Sequence, residues 1–231
     1  MDYSYIDRNV ADIRARMIAA ANESGRKAED VTLLAAIKSA DVGEIKYIHE
    51  RLGINDVGEN RVQQLLERYD AIKDDTLRVH FIGTLQTNKV KYIIDKVCMI
   101  HSLDSLKLAK EIDRQAKKAG VVMDVLVEVN CGEEENKSGL MPFEVEEFCN
   151  ALSEFDSIRL RGFMTMAPKC EKKEDYLKYF SQTYKLVLDI WTKKLHNIDV
   201  PIISMGMSES FEEAIREGSD IVRVGRGMFV K

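Results

Sequence analysis

Short apolar, β-rich runs alternate along the chain with longer stretches whose apolar residues recur at helical spacing. The runs fall at 31–37, 54–57, 79–82, 97–100, 121–129, 158–164, 201–205 and 220–224, and the helical patterns between them at 42–52, 61–72, 87–94, 105–119, 143–152, 176–195 and 211–217. Strands separated by helices pair in parallel through right-handed crossovers, so this rhythm restricts the chain to an α/β architecture. Eight runs are the strand number of a (β/α)8 TIM-type barrel, and 231 residues are an ordinary length for one. A doubly wound sheet shows the same alternation and is the competing arrangement; strand count and the placement of polar motifs favour the barrel. Ahead of the first run, Ile6, Val10, Ile13 and Met17 share a helical face that ends near Glu23-Ser24-Gly25, predicting an extra N-terminal helix that packs on the rest. No linker or low-complexity stretch divides the sequence, so one domain over 1–231 is expected.

Charge and cysteine usage narrow the partners. With 34 basic against 39 acidic side chains the net charge is −5, which disfavours nucleic acid or an anionic membrane, where clustered cations drive binding. Cys98, Cys131, Cys149 and Cys170 are dispersed and suggest free thiols in a reducing compartment. The N-terminal segment carries Asp2, Asp7, Arg8, Asp12, Arg14 and Arg16 where a signal peptide has an apolar core, and no apolar run reaches the length of a membrane span. A cytoplasmic protein is expected. No spacing of His, Cys and carboxylates suggests a metal site.

In a barrel the strand C-termini and the loops after them carry function. The first run places Thr32, Leu34, Ala36 and Lys38 on one face; above small Ala36, Lys38 would have space at the barrel mouth, where loss of hydration would lower its pKa and free the amine to attack a carbonyl. A strand-ending lysine that simply reaches solvent is the plainer alternative. The seventh run leads into Ser204-Met205-Gly206-Met207-Ser208-Glu209-Ser210, where Gly206 allows close backbone approach to a ligand and Ser208 or Ser210 can cap a helix; the eighth ends in Gly225-Arg226-Gly227. Barrel phosphates are commonly held by the loops after strands seven and eight. A phosphate anchor beside an imine-forming lysine calls for a ligand with a phosphate and an aldehyde; pyridoxal 5′-phosphate has both, as do some phosphosugars. Arg223, inward on the eighth run, can only donate hydrogen bonds, which suits an unprotonated pyridine nitrogen, although a core arginine paired with a barrel carboxylate is the structural alternative. Lys137 is a secondary amine candidate in a loop expected to be exposed, His80 a satisfied interior residue, His101 a strand-end residue that could line the mouth, and His49 and His196 surface residues of helices.

The motifs together resemble the pyridoxal phosphate homeostasis protein family, itself similar to the barrel domain of alanine racemase. They are Ala36-Ile37-Lys38, Gly58-Glu59-Asn60-Arg61-Val62-Gln63, His80-Phe81-Ile82-Gly83 with Leu85-Gln86 and Asn88-Lys89, Asn136-Lys137-Ser138-Gly139, Arg161-Gly162 with Met164-Thr165, Ser204 to Ser208, and Val222-Arg223-Val224-Gly225. The resemblance implies pyridoxal 5′-phosphate as cofactor, a Schiff base on Lys38, Arg223 at the pyridine nitrogen, and phosphate held by Ser208 and the backbone near Met207, Gly225 and Arg226, with Asn60 near the ring substituents. Arg226 stands where threonine is common, Ser210 where aspartate is frequent, and Ser39-Ala40 replaces a polar-then-proline exit.

The resemblance further implies a role in vitamin B6 supply, with apo-enzymes that use the cofactor as recipients and no robust catalysis. The alternative is an amino-acid racemase. Racemisation needs a base on each face of the α-carbon, and racemases of this fold take one from an appended domain; with the sequence ending at Lys231 after the eighth run, a carrier and a monomer are expected. A phosphosugar lyase would need an inward acid–base pair, which no motif supplies.

Overall fold

The structure, a computed structural model, describes residues 2–193 and 200–231. Eight parallel strands close into a barrel in sequence order: β1 Thr32–Ala36, β2 Asp56–Glu59, β3 Arg78–Phe81, β4 Met99–Leu103, β5 Met123–Val129, β6 Ile158–Thr165, β7 Ile202–Met207 and β8 Ile221–Val224. Closure runs through the β1–β8 pairing, with Thr32 opposite Ile221 and Leu34 opposite Arg223. The barrel expectation holds, and the doubly wound alternative is removed because no sheet edge is left open.

The helices are α1 Ser4–Glu23, α2 Val42–Leu52, α3 Val62–Ile72, α4 Leu106–Ala119, α5 Val145–Leu152, α6 Lys173–Thr192, α7 Phe211–Arg216 and α8 Arg226–Phe229. Local chemistry sets their ends. Asp41 and Glu44 form a capping box at the start of α2, and Gly53 turns left-handed after it; Ser105 caps α4, and Gly120 ends it in the same way. The predicted helix at 87–94 is a 3-10 segment, Thr87–Tyr92, too short to supply a full amphipathic face. The predicted end of the sixth helix and His196 lie outside the described residues.

Alternation along each strand divides the apolar residues into two sets. Ala35 and Ile37 join the large core between sheet and helices, whereas Leu34 and Ala36 face inward with Ile82 and Ile221. A second inner cluster comprises Met99, Leu126 and Met164, and Ile202 touches both. The rest of the barrel interior includes polar side chains: Asp56, His80, His101, Ser204 and Arg223 are all buried.

Helix α1 is the extra element expected from the sequence. Its buried face (Ile6, Val10, Ile13, Met17, Ala20) packs against α7 and α8, and Asn9 donates to the carbonyls of Met228 and Val230. The Arg16 guanidinium meets the Glu212 carboxylate on α7 at 2.7 Å.

The tightest backbone approach lies between β6 and β7. Gly162 has φ +151°, and a Cβ there would sit 2.0 Å from the Ile202 carbonyl oxygen. Strand pairing cannot relax without opening the barrel, so Gly162→Ala is expected to cost ~3 kcal/mol or more, read as a lower urea midpoint with secondary structure retained below it.

Candidate functional site

A cavity of about 420 Å³ opens at the C-terminal end of the barrel. All seven residues singled out in the sequence, Lys38, Asn60, Met207, Ser208, Arg223, Gly225 and Arg226, line it.

Lys38 follows β1 by two residues and is exposed at the cavity wall. The expected desolvation is therefore not supplied by the protein: β1 ends at Ala36, and the lysine stands in a turn rather than on the strand. Among the described residues no carboxylate pairs with its ammonium group. Asn60 is presented by a loop that Glu59 anchors; the Glu59 carboxylate accepts from the Asn60 and Arg61 N–H groups and meets Arg68 at 3.0 Å. The Asn60 Oδ1 atom is buried and has no hydrogen-bond partner among the described residues. An acceptor left unsatisfied inside a cavity is costly unless something else donates to it.

Beside Lys38, the exits of β7 and β8 converge. The Ser208 hydroxyl oxygen accepts from the N–H groups of Gly225 and Gly227, each at 3.4 Å. These long contacts leave hydroxyl and N–H donors aimed at one place, a cradle for an anion. Gly225 is required there, since a Cβ would lie 2.6 Å from the Ala36 carbonyl oxygen. Met207 is exposed at the rim, and the Arg226 guanidinium turns outward toward Glu209. Two expectations need correction. Gly206 is buried and its missing Cβ makes room for Ala214 of α7, not for a ligand. Ser210 precedes α7, but its hydroxyl accepts from the Met207 N–H and so holds the loop instead of capping the helix.

Arg223 forms the floor. Its NH1 donates to the Ser204 hydroxyl at 2.6 Å and its NH2 to the Thr165 carbonyl at 2.8 Å. Burial lowers its pKa to about 10, against the opposing pull of Glu128. The Thr165 hydroxyl donates to the Val129 carbonyl, tying β6 to β5 below the guanidinium.

Glu128 is the residue the motifs did not single out. It lines the cavity, is buried, and its carboxyl is pushed up to about 7, by burial first and then by Asp104, with Arg223 pulling the other way. The signal was present in the alternation of β5, where Leu126, Glu128 and Asn130 share one face; a charged residue among Val125, Leu126, Val127 and Val129 needs a reason. An inward acid is thus present where none was expected. His101 is displaced from its expected place: β4 runs on to Leu103, so the imidazole is sealed inside the barrel. His80 is buried and fully hydrogen-bonded, as expected, whereas His49 is half-buried, held by Asn55 and Asp74. Lys137, exposed in its loop, lines the cavity, as does Glu134 of the acidic run.

Comparison with known proteins places this geometry. The family model described as alanine racemase, N-terminal domain, matches residues 2–231. The pyridoxal phosphate homeostasis protein of Aquifex aeolicus is 42% identical over 214 residues, covering 93% of this chain and 92% of that one. Among solved structures, one from Bifidobacterium adolescentis superposes with a TM-score of 0.93 at 33% identity, covering 99% of this chain and 97% of its own. PipY of Synechococcus elongatus, solved with PLP bound, superposes at 0.83 with 25% identity, over 97% of this chain and all of that one. Among the described residues no helix is long and apolar enough to cross a membrane.

The raised carboxyl has a thermodynamic consequence. In the unfolded chain Glu128 ionises near its ordinary 4.5, but in the fold only near 7, so the native state binds the extra proton between these values. Stability contributed by that proton is present at low pH and is lost as pH rises through this window. Glu128→Gln is expected to flatten the fall in Tm between about pH 4.5 and 7 and to gain ~1–3 kcal/mol above it, measured by thermal melts across pH.

Proposed function

The chain belongs to the pyridoxal phosphate homeostasis protein family, and on that premise we propose that it binds pyridoxal 5′-phosphate at the barrel mouth and carries it for intracellular supply. The observation that carries this reading is the convergence, in one cavity, of an unpaired amine, a hydroxyl and N–H cradle, a donor-only guanidinium and an orphaned acceptor. Each answers one group of the cofactor. The Lys38 amine attacks the aldehyde carbon, water leaves, and a Schiff base holds the ring. Ser208 and the backbone near Met207, Gly225 and Arg226 take the phosphate. Arg223 donates to the pyridine nitrogen, and Asn60 Oδ1 accepts from the ring hydroxyl.

When bound, the cofactor supplies an electron sink, and Arg223 weakens it, because a group that can only donate keeps the ring nitrogen unprotonated. That favours holding and release over carbanion chemistry, with apo-enzymes that need the cofactor as recipients. The same reading includes a cytoplasmic, monomeric protein, for which size-exclusion chromatography is the direct measurement. Glu128 supports a second reading, an amino-acid racemase, since it is a carboxyl able to hold a proton inside the site. Assay of D- and L-alanine interconversion separates the two: turnover well above that of free cofactor would reject the carrier.

Pure protein mixed with the cofactor is expected to turn yellow, and borohydride is expected to fix the label on the peptide containing Lys38. Lys38→Ala should abolish both. Arg223→Leu should weaken binding by about 10- to 100-fold, the loss of one or two charge-assisted hydrogen bonds. Unchanged colour and reducibility in Lys38→Ala would remove the site assignment.

A further inference from the structure

A continuous line of buried side chains leads away from Arg223 through the barrel. Ser204 Oγ lies 3.2 Å from His101 Nδ1, His101 Nε2 lies 3.0 Å from His80 Nδ1, and His80 Nε2 lies 2.9 Å from Asp56 Oδ1. Asp56 and Arg78 stand at the starts of β2 and β3, and Arg78 Nε donates to Asp56 Oδ1 at 2.8 Å. Arg78 itself is exposed and lines a separate cavity on the opposite face of the barrel. The line therefore runs from one end of the barrel to the other.

We infer that Ser204, His101 and His80 form a one-way hydrogen-bond relay, anchored on the Asp56 carboxylate, that positions Arg223 for the ring nitrogen of the cofactor. The inference rests on the proposed cofactor reading for its purpose, but not for its geometry.

The direction follows from the two ends. Arginine can only donate and an ionised carboxylate can only accept. Burial works to raise the Asp56 carboxyl, but hydrogen bonds from His80 and Arg78 outweigh it and hold it at about 2. At the other end Ser204 Oγ already accepts from Arg223, so the hydroxyl proton goes to the acceptor within reach, His101 Nδ1. A neutral imidazole with a bare Nδ1 carries its proton on Nε2, which donates to His80 Nδ1; His80 in turn donates through Nε2 to Asp56. Burial, then the neighbouring His80 and Arg223, keep His101 well below the usual histidine range, so it stays neutral. Every link points the same way.

The effect on Arg223 is geometric and electrostatic. With NH1 fixed by Ser204 and NH2 by the Thr165 carbonyl, the guanidinium plane cannot swing toward Glu128, and its remaining donors face the cavity. Aligned donors place their negative ends toward the cation, which offsets part of the cost of burying it.

The test has two parts. In the full-length protein without cofactor, the ¹⁵N spectra of His80 and His101 are expected to show protonated Nε2 and bare Nδ1 at both neutral residues. A protonated Nδ1 at either would overturn the relay. With cofactor added, Ser204→Ala is expected to weaken binding at least tenfold and to shift the absorption maximum and its pH midpoint, with borohydride still labelling Lys38. Ser204→Thr, which keeps the hydroxyl, is expected to return both optical properties toward wild type. Equal behaviour of the alanine and threonine variants would reduce Ser204 to packing and reject its positioning role. If wild-type protein were not labelled at Lys38, the cofactor reading would fail, while the nitrogen spectra would still decide the relay.

Discussion

A guanidinium sealed inside a barrel is expensive to desolvate, and the functional end of this molecule is organised around meeting that cost. Arg223 has a hydroxyl and a backbone carbonyl at hydrogen-bond distance, while the acid that acts on it, Glu128, is itself pushed up to about 7 by burial. A charged, neutralising partner would hold the arginine more tightly, but would also occupy the donors a ligand needs. Neutral acceptors leave the positive charge uncompensated at the cavity floor, where an incoming acceptor can use it.

The fold makes this arrangement possible because parallel closure gives the barrel two chemically different ends. Strand exits contribute Lys38, Asn60, Ser208 and Gly225 from four separate β–α connections, so no single loop carries the site. The strand starts contribute Asp56 and Arg78. Between them, two small apolar clusters share the interior with polar side chains that link Arg223 through Ser204, His101 and His80 to Asp56. An interior of leucine and valine alone would pack as well but could not orient a cation.

The alternation of strands and helices was strong enough in the sequence to identify all eight strands, and the residues at the ends of β1, β7 and β8 were legible because polar and glycine-rich motifs stand where barrels place function. What escaped was information carried by exact strand ends. β4 continues two residues past His101 and so carries it from the mouth into the interior, and β1 stops two residues short of Lys38 and leaves it in an exposed turn. Gly206 was misjudged for a related reason: a glycine's local sequence cannot tell whether ligand or helix fills the space beside it. Glu128 was hidden in an apolar strand whose alternation alone could have exposed it, and the His80–His101 contact joins residues 21 apart that only strand register brings together.

The clasp of α1 on the end of the chain sets the order in which the molecule can mature during synthesis. The first helix leaves the ribosome with an apolar face ready to be covered, but α7 and α8, which cover it, follow β7 and β8 along the chain. Strand β1 likewise waits for β8. Ring closure and helix docking thus fall due together, and a nascent chain still lacking α7 and α8 would display a greasy stripe that quality-control machinery can recognise.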